Sequence, residues 1–404
     1  MPILLPPLAL YIHLPWCVRK CPYCDFNSHS LDRGAGSPGL PEDRYVNALI
    51  ADFEHDLHRV QGRMVQSIFI GGGTPSLFSP NEIARLLGAI RARLPLHADA
   101  EITLEANPGA VETGNFAGYR AAGVNRLSLG IQSFDPAMLR TLGRIHGREE
   151  ALRAIDAAQR AGFDNLNIDL MYGLPGQDSR AAVEDCHTAL AQHPEHLSLY
   201  QLTLEPNTLF HAQPPPLPAE DEIAAIQEAI ESRVRDAGYV HYEVSAYARP
   251  GRECRHNLNY WRFGDYLGIG AGAHAKITGA DGITRLWKTK HPDAYMRHAG
   301  TPAAIGGEWR LTPDDRAFEF MLNALRLAGG FPDELFTQRT GLPLSAIGAA
   351  LDAAVEKGLV GRSNGLLYPT PLGQRFLNDL VALFLSDRQT AEDAHATSGH
   401  NLAQ

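Results

Sequence analysis

Three cysteines lie within eight positions near the start of the chain, in the stretch "WCVRKCPYCDF". Cys17, Cys21 and Cys24 are followed by Phe26, at the position where a fourth cysteine would continue the series. A loop this short has no core of its own, and thiolates bind zinc or iron-sulfur clusters well. The spacing alone predicts a metal centre held by three thiolates, with a zinc site completed by His13 or His29, or chance clustering, as alternatives.

The remaining cysteines, Cys186 and Cys254, stand apart from each other and from the first three. Zinc motifs usually combine two pairs of ligands, and no second pair is present in the sequence. A [4Fe-4S] cluster with three cysteine ligands keeps one iron open to another molecule. Five cysteines, three of them crowded, do not form a disulfide framework, and they favour a reducing, cytoplasmic compartment.

The composition limits the class of protein. The chain has 404 residues, enough for one large domain and smaller ones, with 44% hydrophobic and 20% charged residues. No apolar run reaches the length of a membrane span, and "MPILLPPLAL" lacks the features of a signal peptide. The formal charge of -10 argues against nonspecific nucleic-acid binding.

Six β-rich runs alternate with amphipathic segments between the first residues and about residue 238. The runs are "LALYIHLP", "QSIFIGGG", "EITLEANP", "RLSLGIQSF", "LNIDLMYGLP" and "LSLYQLTLE". Repeated β-α units predict an α/β fold with parallel strands, as a barrel, a partial barrel or a doubly wound sheet. Such folds bind ligands at the carboxyl ends of their strands.

Unusual residues follow five of these predicted strands. The cysteines follow the first strand and "GGGTP" follows the second, while Glu105, Gln132 and Asp169 close the third, fourth and fifth. Ordinary turns would explain one or two such endings, but they explain five poorly. We therefore expect a ligand site at this edge of the sheet.

The pattern changes after residue 238. Residues 239–300 are rich in aromatic residues and glycine, and we interpret them as a connecting segment. Residues 301–385 read as helices, a short β-hairpin and a helix, which predicts a winged-helix-like domain. Seven basic and nine acidic residues there make DNA binding the weaker use of this domain. The polar residues 386–404 are expected to be a disordered tail.

Several segments resemble the radical S-adenosylmethionine (SAM) superfamily, whose signature is CxxxCxxC after the first strand. There SAM chelates the open iron of the [4Fe-4S] cluster through its methionyl amino and carboxylate groups. The glycine motif Gly71–Thr74 lies where the superfamily brings backbone close to the methionine amino group. The resemblance implies that residues 1–238 form a partial (β/α)6 TIM-like barrel.

A closer resemblance, to the oxygen-independent coproporphyrinogen III oxidase-like family, covers nearly the whole chain. It includes "YIHLPWCVRKCPYCDF", "FIGGGTPS", "LEANP", "SLGIQSF", "LGRIH", "NIDLMYGLPGQ" and "LSLYQL", in that order. Capping of strand ends is the alternative role for any single residue at these positions. The resemblance implies that ten residues contact one or two SAM molecules: Tyr11, Tyr23, Gly72, Gly73, Thr74, Glu105, Gln132, Arg144, Asp169 and Thr203.

Two features resemble the haem chaperone branch of this family rather than its oxidases. The oxidases carry another cysteine at the position of Phe26, after a longer N-terminal segment. "HNLNYW" matches the HNxxYW haem-binding motif of the chaperone branch. A packed histidine is the alternative, and Cys254 is a rival ligand. The resemblance implies haem contacts from His256, as axial ligand of the haem iron, and from Asn257, Tyr260 and Trp261.

We therefore expect a cytoplasmic haem chaperone that binds haem, a [4Fe-4S] cluster and SAM. Its partners would be a haem-accepting apoprotein and an electron donor for the cluster, and a homodimer is one possible assembly. Phe26 and HNxxYW favour this function over an oxidase that decarboxylates coproporphyrinogen III, and we expect no oxidase activity. The acidic C-terminal region counts against a third hypothesis, a nucleic-acid-modifying radical enzyme.

Overall fold

The computed structural model describes residues 4–31, 39–60, 62–109 and 113–385. The tail at 386–404, for which the sequence predicts disorder, lies outside the described residues. Within these ranges, no helix is both long enough and apolar enough to cross a membrane.

Six parallel strands, in chain order, form the centre of the main sheet, as the sequence predicts. Each strand pairs with the next one along the chain. The strands are β1 (Leu8–Leu14), β2 (Val65–Gly72), β3 (Leu96–Ala106), β4 (Arg126–Gln132), β5 (Leu166–Tyr172) and β6 (His196–Gln201). The helices that follow them are α1 (Glu42–Val60), α2 (Pro80–Arg91), α3 (Phe116–Ala122), α4 (Pro136–Thr141), α5 (Arg148–Arg160), α6 (Ser179–Leu190), α7 (Leu209–Ala212) and α8 (Glu220–Asp236).

Successive side chains along each strand point alternately to the outer face of the sheet and to the lumen of this partial (β/α)6 barrel. On β2, Ile68 and Ile70 are buried in the main core under the helices, whereas Ser67 and Phe69 point the other way. The helices present apolar faces to this core. On α8, for example, Ile226, Ile230 and Val234 recur at helical spacing, and all three are buried.

Residues 239–300, expected to be a connecting segment, extend the main sheet at both edges. The elements of this segment are β7 (Val240–Glu243), β8 (Ala246–Ala248), α9 (Arg255–Trp261), β9 (Asp265–Ile269), β10 (His274–Gly279), β11 (Gly282–Lys288) and α10 (Pro292–His298), and β12 (Ile305–Arg310) follows it. The strand order is β12-β11-β10-β9-β1-β2-β3-β4-β5-β6-β8-β7, with β9 parallel to β1. Because β12 pairs with β11, the sheet continues past residue 300 into the region that the sequence assigned to the C-terminal domain.

The C-terminal domain has a core of its own and contains the predicted series of helix, hairpin and helix. Phe320 packs edge-on against Phe331 and Phe336, at ring distances of 5.2 and 5.3 Å. The hairpin turns at Asn364 and Gly365, which both have positive φ, as two-residue hairpin turns require. The elements are α11 (Pro313–Ala324), β13 (Phe331–Pro332), α12 (Asp333–Thr340), α13 (Gly348–Glu356), β14 (Val360–Ser363), β15 (Leu366–Pro369), α14 (Pro371–Arg375) and α15 (Leu377–Ala382).

A buried ionic cluster joins the added strands to the first helix of the barrel. The Nζ atom of Lys288, at the end of β11, lies 2.6 Å from a carboxylate oxygen of Asp52 and 2.6 Å from one of Asp56, both on α1. Tyr295 of α10 donates a hydrogen bond of 2.7 Å to Asp52. All three charged side chains are fully buried, so each depends on the others for compensation.

Replacing Lys288 by methionine should destabilise the protein by about 3–5 kcal/mol, because two buried carboxylates would lose their cation. Chemical denaturation followed by circular dichroism measures this change. The matched control is Arg153→Met, which removes an exposed pair with Glu149 at 3.4 Å and should change stability little. Equal effects of the two substitutions would contradict the role assigned to Lys288.

Candidate functional site

The cysteine loop, residues 15–31, follows β1 at the carboxyl end of the parallel strands. Trp16–Cys17 pairs with His29–Ser30 and closes the loop at its base. Its three cysteines are half-buried, and burial raises the pKa of Cys17 and of Cys24. A cleft of about 410 Å³ opens beside the loop, lined by Cys21 and Cys24 together with the cationic side chains Arg19, Lys20 and Arg140.

Both ring nitrogens of His13 lie within hydrogen-bonding distance of other protein groups. Its Nδ1 atom lies 3.0 Å from the Tyr11 hydroxyl, and its Nε2 atom lies 2.9 Å from the Asn27 carbonyl oxygen. Burial lowers the pKa of His13 to about 4. Among the described residues, no three His, Cys, Asp or Glu side chains, the loop cysteines included, are grouped closely enough in this conformation to hold a metal ion. A zinc ion completed by His13 would therefore require one of these hydrogen bonds to break.

Arg144 connects the cysteine loop to the ends of β3 and β4. Its Nη1 atom lies 3.7 Å from Cys21 Sγ, and its Nη2 donates to Asn107 Oδ1 at 2.6 Å and to the Gly130 carbonyl at 2.5 Å. Asn107 donates in turn to Thr74 Oγ1 at 2.9 Å. The structure thus brings three predicted residues together through Asn107, which the sequence interpretation missed although it directly follows β3.

The glycine motif is required by packing against the end of β1 and the base of the cysteine loop. A Cβ atom at Gly72 would lie 2.6 Å from the His13 ring, and one at Gly73 would lie 2.6 Å from the Trp16 carbonyl oxygen. Gly72 also has a φ of +114°, which side chains disfavour. Close approach of a ligand, which the family resemblance implies, is therefore a second and separate reason for glycine here.

Two carboxylates point into the lumen from β3 and β5, the strands on either side of β4. Glu105 accepts a hydrogen bond of 3.1 Å from the Gly72 amide, and Asp169 accepts bonds from Ser128 (3.0 Å) and Asn167 (2.8 Å). Burial, followed by repulsion from Asp169, raises the pKa of Glu105 to about 8, and burial also raises the pKa of Asp169. A cationic ligand would relieve this repulsion.

Asp169 lies in the middle of β5, so its predicted position at the end of that strand was wrong. The strand continues for three residues beyond Asp169, to Tyr172. Asp169 faces the lumen through the alternation of the strand, deeper than Gln132 at the end of β4.

The other predicted SAM residues lie around the rim of the lumen. Gln132 is the last residue of β4, where a register irregularity and a φ of +70° mark local strain. Tyr11 stacks on Phe69 at a ring distance of 6.4 Å. Tyr23 packs near the Phe210 ring, and Thr203 is exposed just after β6.

The HNxxYW residues lie at the opposite end of the lumen from the cysteine loop, on α9. His256 is 1% exposed, with Nδ1 at 3.0 Å from Ser67 Oγ and Nε2 at 3.0 Å from the Tyr260 hydroxyl. Burial lowers the pKa of His256 to about 3. Asn257 and Trp261 are half-buried on the same helix. In this conformation His256 is a packed histidine, and iron ligation would require one of its two hydrogen bonds to break.

The floor of the lumen is a buried polar cluster that the sequence interpretation did not identify. Glu101 accepts bonds from the His256 amide at 3.2 Å and from Cys254 Sγ at 3.4 Å. Arg126, 2% exposed, is close enough to Glu101 and Cys254 for their charges to act on its pKa. Burial raises the pKa of the Cys254 thiol to about 12, so Cys254 is a buried, protonated thiol in this conformation.

Comparison with known proteins assigns the chain to a family. The radical SAM superfamily model matches residues 11–189, and the HemN C-terminal domain model matches residues 311–376. Over 384 residues, covering 95% of this chain and 99% of the relative, the chain is 50% identical to "Heme chaperone HemW" of Escherichia coli strain K12. The chain belongs to the HemW family.

Other HemW family members and one solved structure agree with this assignment. A protein of the same name from Bacillus subtilis strain 168 is 33% identical, with 94% of this chain and 99% of the relative covered. The structure of coproporphyrinogen III oxidase (HemN) from Escherichia coli, described as a radical SAM enzyme, matches with a TM-score of 0.78 at 25% identity. That match covers 94% of this chain and 90% of the other, so it extends over barrel and C-terminal domain alike.

The Glu105→Gln variant should make the stability of the ligand-free protein less dependent on pH. Glu105 has a pKa of about 8 in the folded chain and an ordinary value of 4.5, so the folded wild type loses stability as pH rises between these values. The variant should therefore show a higher melting temperature than the wild type near pH 8, by the equivalent of about 4 kcal/mol, and little difference near pH 4.

Thermal unfolding across this pH range measures the effect, with Glu149→Gln, an exposed carboxyl on α5, as the control. Parallel pH profiles for wild type and Glu105→Gln would show that Glu105 ionises normally.

Proposed function

We propose that this protein is a haem chaperone that binds haem, a [4Fe-4S] cluster and SAM, and transfers haem to an acceptor apoprotein. The observation that carries the proposal is 50% identity over nearly the full length to a protein named as a haem chaperone. We place the protein in the cytoplasm and infer an electron donor for the cluster, because an iron-sulfur centre and free thiols suit a reducing compartment.

The residues of the cysteine loop fit an anionic iron-sulfur cluster. Cys21 and Cys24 line a cleft, and cationic Arg144 lies against the Cys21 sulfur. The Nε atom of Arg144 is buried without a hydrogen-bond partner, which leaves a donor for an acceptor not yet in place. A cluster held by Cys17, Cys21 and Cys24 would bind SAM at its open iron and could supply an electron to its sulfonium group.

The lumen residues suit the remaining parts of SAM. Glu105 and Asp169 favour the cationic groups and the ribose hydroxyls, because both carboxylates accept hydrogen bonds and repel each other when alone. Arg144 suits a carboxylate or the cluster sulfurs. We assign the same ligand to the rim and wall residues Tyr11, Tyr23, Gly72, Gly73, Thr74, Gln132 and Thr203.

Haem binding through the HNxxYW motif requires the floor of the lumen to open. His256 would become the axial ligand, with Tyr260 and Trp261 against the macrocycle and Asn257 beside it. The Trp261 indole Nε1 atom is buried without a hydrogen-bond partner, and the Arg326 guanidinium lies 4.3 Å from the ring. This half-satisfied packing supports a floor that can rearrange.

Coproporphyrinogen III oxidation is the alternative function, supported by the structural match to HemN. Phe26, which is 46% exposed at the edge of the cysteine loop, replaces the additional cysteine of the oxidases and offers no thiolate. This substitution favours the chaperone function.

Anaerobic incubation of the cluster-loaded protein with haem, and separately with coproporphyrinogen III, SAM and reductant, distinguishes the two functions. We expect uptake of about one haem per chain, seen as a Soret band after gel filtration, because one HNxxYW motif is present. We expect no protoporphyrinogen product. Turnover of coproporphyrinogen III at a rate comparable to that of an oxidase assayed in parallel would show that the protein is an oxidase. If the protein took up no haem, the chaperone function would have to be abandoned.

Replacing Cys17, Cys21 or Cys24 singly by alanine should remove most of about four iron atoms per chain, since each thiolate binds one iron of the cluster. Iron and sulfide analysis after anaerobic reconstitution measures this. Cys186→Ala, a buried thiol on α6, is the control and should keep the full iron content. Full iron in all three loop variants would contradict the cluster site.

A further inference from the structure

The cleft beside the cysteine loop is cationic, although the protein as a whole is acidic. Its lining includes Arg19 and Lys20 of the loop and Arg140 in the last turn of α4, and all three side chains are exposed. Among the described residues that line the cleft, none is acidic. The formal charge of the chain is -10, so this cleft is a local exception to the overall charge.

Within the described residues, carboxylates do not neutralise these three charges. Lys20 Nζ donates a hydrogen bond of 3.0 Å to the Phe26 carbonyl oxygen, which is a neutral acceptor. The guanidinium groups of Arg19 and Arg140 form neither a hydrogen bond nor a salt bridge in the part of the chain that the structure describes. Exposed cations without carboxylate partners attract an incoming anionic surface.

Exposed apolar side chains accompany the cations. Leu209, the first residue of α7, lines the cleft and is 56% exposed. Ile145, which follows α4, is 57% exposed and lines a smaller cavity that shares Arg19 and Cys21 with the cleft. Apolar side chains next to charged ones are typical of a surface that binds another protein.

The walls of the cleft are packed against the cysteine loop. The Phe210 amide of α7 donates a hydrogen bond of 3.0 Å to the Pro22 carbonyl oxygen, and the Phe210 ring lies 6.4 Å from that of Tyr23. Gly143, just after α4, lies so close to the loop that a Cβ atom there would be 2.9 Å from the Pro22 ring. The loop, α4 and α7 therefore form one preorganised surface, which a partner need not order on binding.

Two of the predicted cluster ligands open into this cleft. Cys21 and Cys24 line it, and both side chains are only half-buried. An electron that enters through the cleft therefore has a short path to the thiolates that would hold the cluster. Proteins that exchange electrons form small, transient interfaces, so a surface of this size is sufficient.

We propose that the cleft with Arg19, Lys20 and Arg140 is the docking surface for a small acidic electron-carrier protein that reduces the cluster. The carrier is oxidised by one electron and the cluster is reduced by one electron, and no covalent bond forms or breaks. A second copy of this chain suits the cleft poorly, because a symmetric contact would place cations against cations. This inference rests on the proposed function and adds a docking surface to it.

Association of a bacterial flavodoxin, an acidic flavin protein used as the probe, with the full-length, cluster-loaded protein tests this surface by surface plasmon resonance. Arg140→Glu should slow association about tenfold, because electrostatic steering is lost, and Arg19→Glu should act in the same direction. Arg140→Lys keeps the charge and should associate as the wild type does. Raising NaCl to about 0.2 M should slow the wild type more than Arg140→Glu, since salt screens the attraction.

Arg233→Glu is the matched control, because Arg233 is also an exposed arginine in the last turn of a helix, α8, and does not line the cleft. A second control separates docking from the cluster itself. Photoreduced deazariboflavin, a small uncharged reductant, should reduce the cluster of Arg140→Glu at the wild-type rate, whereas reduced flavodoxin should reduce it more slowly. Iron analysis verifies that each variant retains its cluster.

Wild-type association and reduction by flavodoxin in both Arg140→Glu and Arg19→Glu would overturn the inference. It would also be overturned by an equal loss in Arg233→Glu, which would attribute the effect to overall charge, or by a wild-type cluster that deazariboflavin reduces and flavodoxin does not. If the wild type held no cluster, the proposed function itself would fail, which is a distinct outcome.

Discussion

The period-two alternation of six parallel strands is the constraint on which the rest of the structure depends. Each strand must bury one face under helices. On β2, Ile68 and Ile70 therefore lie on the face covered by helices, and Ser67 and Phe69 lie on the lumen face. Neighbouring strands keep the same register, so Glu105 lies opposite Ser128, and Gly130 opposite Asp169. The polar lumen is therefore a consequence of the same pattern that makes the core.

Both ends of the lumen contain buried polar atoms without hydrogen-bond partners, Arg126 Nε and Trp261 Nε1 at the floor and Arg144 Nε at the rim. At the floor, the imidazoles of His196 and His256 each use both nitrogens, His196 with Asn167 and Tyr242. At the rim, Glu105 and Asp169 repel each other, and Arg144 keeps an unpaired Nε. Buried groups without partners are costly at either end, but the repulsion between Glu105 and Asp169 identifies the rim as the end suited to a cationic ligand.

The sequence predicted the barrel and its rim well because both depend on local patterns. Six apolar runs gave six strands in the right order, and turn residues after them located Cys17, Glu105 and Gln132 near the strand ends. It could not predict that β9 would pair with β1, because this contact joins residues more than 250 positions apart. It also missed Asn107, whose role depends on Arg144 reaching it from a later loop.

The HNxxYW motif shows that a sequence motif does not tell whether its residues are accessible to a ligand. The family resemblance implied that His256 is a ligand, but burial between β2 and α9 makes this histidine part of the floor. Two ring contacts connect it to the rim: His256 lies 5.1 Å from Phe69, and Phe69 lies 6.4 Å from Tyr11. Close-packed interiors transmit displacement because they have few voids to absorb it. Tyr11 at the rim and His256 at the floor are therefore joined by one intervening ring in a continuous packed wall of the lumen.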